Sequence, residues 1–468
     1  MSYQVPQHID NNKVFIVNRS EIKGRLDPKM ALYNRRVQKW SYPKVRLKDV
    51  LLAKPQYGAP ESGIIRNDPS SPRYIRITDI DEYGLISHND LGVTANIIED
   101  QYILHENDLL IARSGATVGK AYIHKDCPYT CFFAGYLIRF IINPIKALPT
   151  YVFAFTQTNI YKEWVGAIQR PSGQPNINAE EYQFLEIPLP PLDVQNEIVS
   201  IIQTAYSEKQ KKELEVQQLL KDIDIYMLNE LGVSLPEVRN ELKDRMFFLN
   251  RCDLEGRFDP TVYKDGIKLI SPKWDNIKLS KVAFVNPSGT YKGKNAKTPI
   301  SFVPMEVVDE TFSEITTMGE ATIEHSSGFT KFREGDLLWA KITPCMQNGK
   351  SAIAKNLING LGCGSTEFFV LRPKNERIAI EYLHVILHMK CVRETAMLYF
   401  GGSAGQQRVP ASFLDNFIIP LPPKEKQVEI ASHVYELRQQ AKRLQDEGKR
   451  ILESAKREVE QIIVQRDE

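Results

Sequence analysis

The chain has 468 residues, of which 42% are hydrophobic and 25% charged, and its net charge is +2 at pH 7. This is the composition of an ordinary globular protein with room for two or more cores. The longest apolar runs are too short to cross a bilayer, and residues 1–13 do not resemble a signal peptide. We therefore expect a cytoplasmic protein without a membrane partner. The charge neither demands nor forbids nucleic acid.

The sequence consists of two related copies, one after the other. Residues 14–28, VFIVNRSEIKGRLDP, return as MFFLNRCDLEGRFDP at 246–260, which begin 232 positions later. The same shift relates Ile187 to Ile419 far downstream. A period of this length excludes a solenoid, whose repeats run about 20–50 residues, and each copy is large enough for its own core. Two related domains suit a target that also has two halves.

Each copy is predicted to be a strand-rich domain followed by a long helix. Apolar or alternating windows bounded by Pro, Gly, Asn and Ser indicate strands, and 3.6-residue periodicity indicates short helices. In the first copy we predict strands at 14–17, 74–77, 108–112 and 132–140 and helices at 44–52 and 151–165. In the second copy we predict strands at 247–249, 302–305, 336–339 and 368–371 and a helix at 378–397. The expected class is α+β.

After residue 191 the sequence predicts a long polar helix that runs to Gly232. Asp193 is its predicted N-cap, and Gly232 is predicted to end it. A second long helix extends from about 424 to the C-terminus with cleaner a/d spacing. We predict that the two pack on each other as an antiparallel coiled coil between pseudo-twofold-related domains. In the alternative, each helix packs separately on its own domain. The predicted domains are 1–191 and 233–423, and the helical segments are 192–232 and 424–468.

One motif opens both long helices. Pro188-Leu189-Pro190-Pro191-x-x-x-Gln195 recurs as Pro420-Leu421-Pro422-Pro423-x-x-x-Gln427, and the phrase at 106–115 has a counterpart at 334–341. A single Pro-Leu-Pro-Pro string would be weak, but two copies at a fixed shift, each before a helix of this length, are specific. The chain resembles, over essentially its whole length, the DNA-specificity subunit of type I restriction-modification systems.

The resemblance implies a non-catalytic reader of double-stranded DNA. Each of two target-recognition domains would read one half of a split site, and the paired helices would act as a ruler. Two methyltransferase subunits would dock on the helices, and restriction subunits would join them. S-adenosylmethionine, ATP and Mg are then expected on the partner subunits, and no cofactor or metal on this chain.

The residues themselves give no sign of catalysis. No Asx-Pro-Pro-aromatic site for a flipped adenine occurs, and Gly115 to Lys120 is one residue short of a phosphate-binding Walker loop. His384 and His388 lack the Glu of a metalloprotease helix and are interpreted as packing or surface residues. Six cysteines show no Cys-x-x-Cys pair and no flanking histidine at ligand spacing, and we interpret them as reduced thiols.

DNA reading is expected in three pairs of loops, each of which combines glycine for close approach with cations, amides or hydroxyls for phosphates and base edges. The two copies are offset by 232 residues at both ends of the repeat but by 228 residues at the pair Glu106 and Glu334. Insertions and deletions therefore lie between the segments that match in both copies. The expected DNA contacts are Lys54, Tyr57, Arg113, Ser114, Thr117, Lys120, Arg170, Gln174, Asn176, Tyr291, Lys292, Lys294, Lys341, Gln347, Lys350, Gln406, Gln407 and Arg408. Arg25 with Asp27, and their copies, are interpreted as structural turns because they recur unchanged.

A different class of function stays open at this point. A duplicated coiled-coil adaptor would join proteins and never read bases. Binding to target and random DNA in the presence of the methyltransferase separates the two hypotheses, since an adaptor shows no sequence preference.

Overall fold

The structure is a computed structural model that describes residues 16, 19, 28–37, 40–81, 83–86, 91–125, 127–169, 175–235, 262–263, 266–402 and 406–464. The chain divides into two compact units, unit 1 with residues 1–211 and 447–468 and unit 2 with residues 212–446. The predicted strands at 14–17 and 247–249 and both arginine-aspartate turns fall almost entirely outside the described residues. Within those residues, no helix is long and apolar enough to cross a membrane.

Unit 1 is built from short strands closed by helices. Its helices before the long one are α1 Pro28–Val37, α2 Pro149–Thr156, α3 Asn159–Ile168 and α4 Ala179–Gln183. Its strands are β1 Lys44–Arg46, β2 Gln56–Tyr57, β3 Ile64–Ile65, β4 Arg73–Ile75, β5 Val93–Thr94, β6 Leu109–Ala112, β7 Ala121–Ile123, β8 Cys131–Phe133, β9 Leu137–Phe140 and β10 Glu186–Pro188. They form two four-stranded sheets, ordered β2-β9-β6-β7 and β3-β5-β4-β8, and the pair β1-β10.

Unit 2 repeats this plan. Its strands are β11 Asp275–Lys278, β12 Ala283–Val285, β13 Pro299–Val303, β14 Gly319–Thr322, β15 Thr330–Arg333, β16 Leu337–Ala340, β17 Ser351–Ile353, β18 Leu361–Gly364, β19 Phe368–Pro373 and β20 Ile418–Leu421. Its helices are α6 Leu279–Val282, α7 Ile380–His388, α8 Lys390–Met397 and α9 Ala411–Asn416. The sheets are β12-β19-β16-β17, β14-β13-β18-β15 and β11-β20.

The duplication is therefore structural as well as sequential. In both units the first sheet is antiparallel, and in both the second sheet contains one parallel pair, β4 with β8 and β13 with β18. A buried aspartate sits at the start of each central strand and pairs with an arginine of the neighbouring strand. Arg139 Nη1 lies 3.3 Å from Asp108 Oδ2, and Arg372 Nη2 lies 2.7 Å from Asp336 Oδ2. These two ion pairs occupy equivalent positions in the fold that both units share.

Several predicted elements require correction. The helix predicted at 44–52 is wrong, because the segment forms strand β1 followed by a 3-10 helix, Leu47–Val50. The strand predicted at 132–140 divides into β8 and β9, which belong to different sheets. The helices predicted at 151–165 and 378–397 are confirmed, each broken into two. The first break lies at Gln157 and Thr158, where Thr158 caps the second helix, and the second lies at Met389.

The long helices match the prediction closely. The first, α5, runs Leu192–Leu231 and the second, α10, runs Lys424–Ile463. Asp193 is a residue of the first turn rather than the N-cap, since the helix begins one residue earlier. Gly232 adopts a φ of +67° and ends α5 as predicted, because the left-handed conformation there suits glycine.

The two helices contact each other within each unit. In unit 2, Lys426 Nζ lies 2.9 Å from Glu230 Oε2 and the rings of Tyr226 and His433 lie 4.4 Å apart. Val216 packs on Ala441 in the same unit. As the number rises along α5 it falls along α10, so the pairing is antiparallel. This confirms the predicted helix pair.

In unit 1 the seam contains a lysine. Ile198, Ile202 and Ala205 of α5 share the main core with Leu452 and Ala455 of α10. Lys209, which interrupts the apolar spacing in the sequence, is only 6% exposed. Its ammonium lies 3.9 Å from the ring centroid of Tyr83, and its side chain contacts Gly448. The attraction between the ammonium and the aromatic face stabilises the lysine in this apolar helix interface, where an unpaired cation would be unfavourable.

The glutamine of the repeated motif fastens each long helix to its unit. Gln195 Oε1 accepts a hydrogen bond from Leu148 N at 2.9 Å, and Gln195 Nε2 donates to Pro190 O at 2.8 Å. Gln427 Oε1 accepts from Ala379 N at 2.8 Å, and its Nε2 donates to Pro422 O and Arg377 O, both at 2.8 Å. Both glutamines are buried. The motif is thus a structural junction.

Candidate nucleic-acid interface

In unit 1, three chain segments cross at the end of strand β6. Arg113 N donates to Tyr136 O at 3.0 Å, and Arg113 O accepts from Ile177 N at 2.9 Å. Ser114 and Asn176 form an antiparallel bridge, and Gly115 N donates to Pro175 O at 3.0 Å. We call this arrangement the crossing frame. It brings the predicted contacts Arg113, Ser114 and Asn176 together.

The side chains around this frame offer cationic and aromatic groups. Arg113 Cζ lies 4.9 Å from the ring centroid of Tyr57, whose hydroxyl accepts a hydrogen bond from Ala179 N at 3.1 Å. The Arg113 Nε is buried and has no hydrogen-bond partner among the described residues. Tyr136 is 62% exposed, and Asn176 and Lys54 are exposed. The guanidinium is thus positioned against an aromatic ring.

Unit 2 contains the same frame at the end of strand β16. Lys341 N donates to Glu367 O at 2.9 Å, and Lys341 O accepts from Val409 N at 2.9 Å. Ile342 and Arg408 form the antiparallel bridge, and Thr343 N donates to Gln407 O at 3.0 Å. Every backbone contact of the first frame has its counterpart here.

The side chains at the second frame have different chemistry. Arg408 Nη2 lies 2.8 Å from Glu367 Oε1 and Arg408 Nε lies 3.0 Å from Oε2, a bidentate pair. The hydrogen bond from Arg408 lowers the pKa of Glu367. Lys341 Nζ lies 5.4 Å from the ring centroid of Phe369. The carboxylate therefore orients the guanidinium, whose third nitrogen, Nη1, donates to Gln406 O at 2.9 Å.

Four positions of the crossing frame are equivalent in the two units. The backbone bonds equate Arg113 with Lys341, Ser114 with Ile342, Tyr136 with Glu367, and Asn176 with Arg408. All four side chains differ while their backbone contacts are the same. Direct base readout needs such variation, because donors and acceptors must change with the base while phosphate-contacting scaffold stays constant.

Two predicted lysines have internal partners instead. Lys120 Nζ donates to Ile80 O at 2.7 Å, and Lys350 Nζ donates to Met305 O at 3.3 Å. Both follow a glycine with positive φ, Gly119 at +86° and Gly349 at +90°. Each lysine therefore ties the hairpin after the central strand to a neighbouring 3-10 helix.

The remaining predicted residues lie in loops. Lys292 and Lys294 are exposed in consecutive turns after β12, whereas the Tyr291 hydroxyl donates to Gly362 O at 2.6 Å and is half-buried. The other contacts predicted in described loops are Thr117, Gln347, Gln406 and Gln407, of which only Gln406 is exposed. Arg170 and Gln174 lie outside the described residues.

Tyr136 and Glu367 are not among the DNA contacts that the sequence predicts. Both precede a strand of the first sheet, and only the backbone bonds to Arg113 and Lys341 show that they share one place in the fold. An alignment of the two copies at an offset of 228 or 232 residues does not pair Tyr136 with Glu367, because their residue numbers differ by neither value.

The paired histidines are packing residues in this structure. His384 Nε2 lies 3.0 Å from Ser351 Oγ, and burial lowers the pKa of His384 to about 3. His388 Nε2 lies 3.3 Å from Glu310 O, and desolvation of this half-buried side chain lowers the pKa of His388. Both imidazoles are therefore neutral at ordinary pH.

Comparison with known proteins settles the family. The model of the type I restriction modification DNA specificity domain matches residues 44–218 and again residues 272–447. The chain belongs to this family. Each match covers one copy of the repeat and ends within a long helix, so the DNA specificity domain is present twice. The adaptor hypothesis is not favoured, because both copies match a domain defined by DNA specificity.

Relatives of this DNA specificity family are similar over different shares of the chain. The type I restriction enzyme EcoEI specificity subunit of Escherichia coli is 38% identical over 164 residues, 34% of this chain and 26% of that protein. The EcoKI specificity subunit of Escherichia coli strain K12 is 21% identical over 353 residues, 74% of this chain and 70% of that protein. A solved structure of a type I R-M system has a TM-score of 0.47 and 18% identity, covering 91% of this chain and 96% of that one. The chain spans about a quarter of the length of the first two curated relatives that it matches.

Proposed function

We propose that this chain is the sequence-specific DNA-binding subunit of a type I restriction-modification complex, non-catalytic in itself, and that each unit reads one half of a bipartite target. The observation that carries the proposal is the pair of crossing frames, which have the same backbone bonds and different side chains. Family membership supplies the ligand class, since both copies match a DNA specificity domain.

The chemistry at each frame is suited to base edges. A planar guanidinium donates bidentately to guanine O6 and N7, and amides such as that of Asn176 pair with adenine. In unit 2 the bidentate contact to Glu367 orients Arg408, which reduces the entropy lost on binding. In unit 1 the contact of the Arg113 guanidinium with the Tyr57 ring has the same effect.

Exposed lysines outside the frames would bind phosphates. Lys54 in unit 1 and Lys292 and Lys294 in unit 2 are exposed cations in loops. Phosphate contacts fix position without reading sequence, and each one steepens the salt dependence of binding. We assign Lys120 and Lys350 to the scaffold, because both ammonium groups donate to backbone carbonyls.

The long helices would hold the partners and set the gap between half-sites. Each is counted partly with unit 1 and partly with unit 2, since the division falls at residues 211 and 446. Two methyltransferase subunits and restriction subunits would assemble with the chain in the cytoplasm, and these partners would carry S-adenosylmethionine, ATP and Mg.

The test uses the chain purified with its methyltransferase subunits. Mapping methylated adenines in the host genome identifies the target, expected as a split motif methylated on both strands. Filter binding then compares that duplex with a scrambled one across a salt series. A preference for the target that survives at higher salt supports the proposal, whereas equal affinity for both duplexes at every salt concentration contradicts it. Methyl transfer by the isolated chain would contradict the non-catalytic assignment.

A further inference from the structure

One group of side chains in unit 1 has no role in the proposed DNA contacts. His124, Cys127 and Cys131 place one imidazole nitrogen and two thiol sulfurs within 4.8 Å of one another. His124 is 5% exposed and Cys131 is 1% exposed, while Cys127 is half-buried. Within the described part of the chain, no other set of three His, Cys, Asp or Glu side chains converges in this way.

The fold does not require these side chains. Asn107 N donates to His124 O at 2.8 Å and His124 N to Asp108 O at 2.9 Å. In unit 2, Ala354 makes the same two bonds, accepting from Gly335 N and donating to Asp336 O, both at 2.8 Å. Alanine thus occupies the position of His124.

The same holds for the second thiol. Cys131 pairs with Arg73 across the parallel strands of unit 1, and Gly362 pairs with Ser301 across those of unit 2. Glycine therefore stands at the matching place. The thiol and imidazole are additions to a frame that is complete without them.

The spacing and geometry suit a tetrahedral soft cation. Zinc binds thiolate sulfur at about 2.3 Å and imidazole nitrogen at about 2.0 Å, which puts neighbouring ligand atoms about 3.5–3.8 Å apart. The three atoms need to close by about 1.3 Å at most from their present separation, a shift within reach of side-chain rotation.

The surroundings favour metal binding by the imidazole. Tyr122 Oη lies 2.9 Å from His124 Nδ1, a hydrogen bond that holds the imidazole ring in one orientation, as such bonds do for zinc-binding histidines. Two thiolates would balance the charge of one divalent ion. Zinc binds cysteine as the thiolate, so metal binding releases protons from the thiols.

A route from solvent exists. Cys127 lines a groove of about 450 Å³ together with Tyr122, Lys125 and residues of α5 such as Gln203 and Ser207. A cation can reach the half-buried thiol from this groove, and a water molecule can complete the coordination from the same side. These observations concern unit 1 alone.

We propose that His124, Cys127 and Cys131 form a binding site for Zn²⁺, with water as the fourth ligand. The ion links the end of β7 to the start of β8. It adds to the stability of unit 1 and takes no part in catalysis. The proposal is independent of the proposed DNA-reading function, since its measurements need no DNA.

The experiment uses the full chain, stripped with a chelator, kept reduced and titrated with Zn²⁺ against a chromophoric competitor. The expected result is about one zinc ion per chain and a higher melting temperature with zinc than without it. Cys127→Ser and Cys131→Ser should lose both effects. His124→Ala should lose both while folding normally, because Ala354 occupies the same position in unit 2. Tyr122→Phe should bind about 10-fold more weakly.

Cys345→Ser is the matched control, because Cys345 is a half-buried thiol in unit 2 outside the group. It should bind zinc as the unaltered chain does. Absence of zinc binding by the reduced chain would overturn the proposal, as would binding that persists in both Cys127→Ser and His124→Ala. A protein isolated with a Cys127–Cys131 disulfide, seen as a mass lower by two hydrogens, that binds no zinc after reduction would also overturn it.

Discussion

The two units share backbone and differ in side chains at the place where three segments cross. In unit 1 the frame presents Arg113, Tyr136 and Asn176, and in unit 2 it presents Lys341, Glu367 and Arg408 in the same backbone bonds. Elsewhere the units agree in detail, including the buried glutamine that begins each long helix. The two copies of the domain therefore share the contacts that hold the fold and differ in the side chains that we propose to contact DNA.

The units also differ at their edges. The fourth strand of the second sheet is β3 beside β5 in unit 1, whereas it is β15 beside β18 in unit 2. The loop from Lys341 to Gly349 is two residues longer than the loop from Arg113 to Gly119. This hairpin accounts for the change in the repeat shift from 228 to 230 across it. Length variation thus falls at the tips and edges, away from the shared core.

The largest expected effect comes from shortening both long helices by four residues, 211–214 in α5 and 444–447 in α10. Each helix loses about 6 Å at ~1.5 Å per residue, and four residues are close to one full turn, so the apolar seam keeps its face. If the proposed ruler operates, the native target is lost and the same half-sites are methylated with a gap changed by about two base pairs at ~3.4 Å each.

Methylation mapping in cells that carry the shortened chain measures the gap directly. Full activity at the original gap would show that the helices are not the ruler, and altered half-site bases would show that they take part in reading. The segment 206–213, which looks polar in the sequence, is unsuitable for this deletion. It contains the buried Lys209 and Tyr206, whose hydroxyl donates to Tyr83 O at 3.0 Å.

The next effect concerns the shared scaffold. Gln427→Ala removes the partner of three backbone groups, two of them in buried hydrogen bonds, and Gln195→Ala removes the partner of two, one of them in a buried hydrogen bond. At roughly 1–3 kcal/mol for each unsatisfied buried group, we expect the first variant to lose more stability than the second. Thermal melting gives the loss, and hydrogen exchange at the amides of Ala379 and Leu148 shows where it occurs.

Gln218→Ala is the control for the glutamine variants. This residue lies on α5 as well, but its side chain is exposed and bonds only to Asp222 in the described structure. Equal melting temperatures for Gln218→Ala and Gln427→Ala would show that the buried glutamines are not structural junctions.

The sequence predicted most of what depends on long patterns. The duplication, the two long helices and the stop at Gly232 follow from repeat spacing, periodicity and the φ that glycine permits. The helix predicted at 44–52 failed because β1 pairs with β10, about 140 residues away in the chain. Local periodicity carries no information about such a distant partner.

The candidate site was only partly predictable. Arg113, Lys341 and Arg408 stand out as cations near glycines, but the inward bonds of Lys120 and Lys350 depend on tertiary contacts. Tyr136 and Glu367 are visible only once strands are paired. The His-x-x-Cys-x-x-x-Cys spacing at 124–131 lacks the Cys-x-x-Cys pair that is typical of zinc sites, and the fold is what shows that the three side chains converge.

A smaller effect is expected from loosening the oriented arginine. Glu367→Gln keeps the size of the side chain and removes the charge that holds Arg408. Because a bidentate base contact contributes about 1–3 kcal/mol of discrimination, we expect a loss of roughly 1 kcal/mol, about 5-fold, for one half-site only. Competition binding with duplexes altered in either half-site measures it. A matching loss in the other half-site would contradict the assignment of one unit to each half.

The smallest effect is a pH dependence of the same pair. The pKa of Glu367 is lowered by Arg408 in the folded state, so the pair stabilises unit 2 above the unfolded carboxyl pKa of about 4.3. That contribution is lost as pH falls through the lower, folded pKa. The difference in melting temperature between the unaltered chain and Glu367→Gln should be constant above about pH 5 and shrink below it. A difference that grows on acidification would contradict this sign.

The most direct measurement maps methylated sites in cells that carry Arg113→Ala, Arg408→Ala or neither change. Both arginines lie in equivalent frames of different units, so each variant serves as the control for the other. We predict that Arg113→Ala relaxes the bases of one half-site only and that Arg408→Ala relaxes only the other, while the gap stays unchanged in both. If either substitution relaxed both half-sites equally, or if neither altered the bases that are methylated, the crossing frames would not be the surfaces that read the DNA.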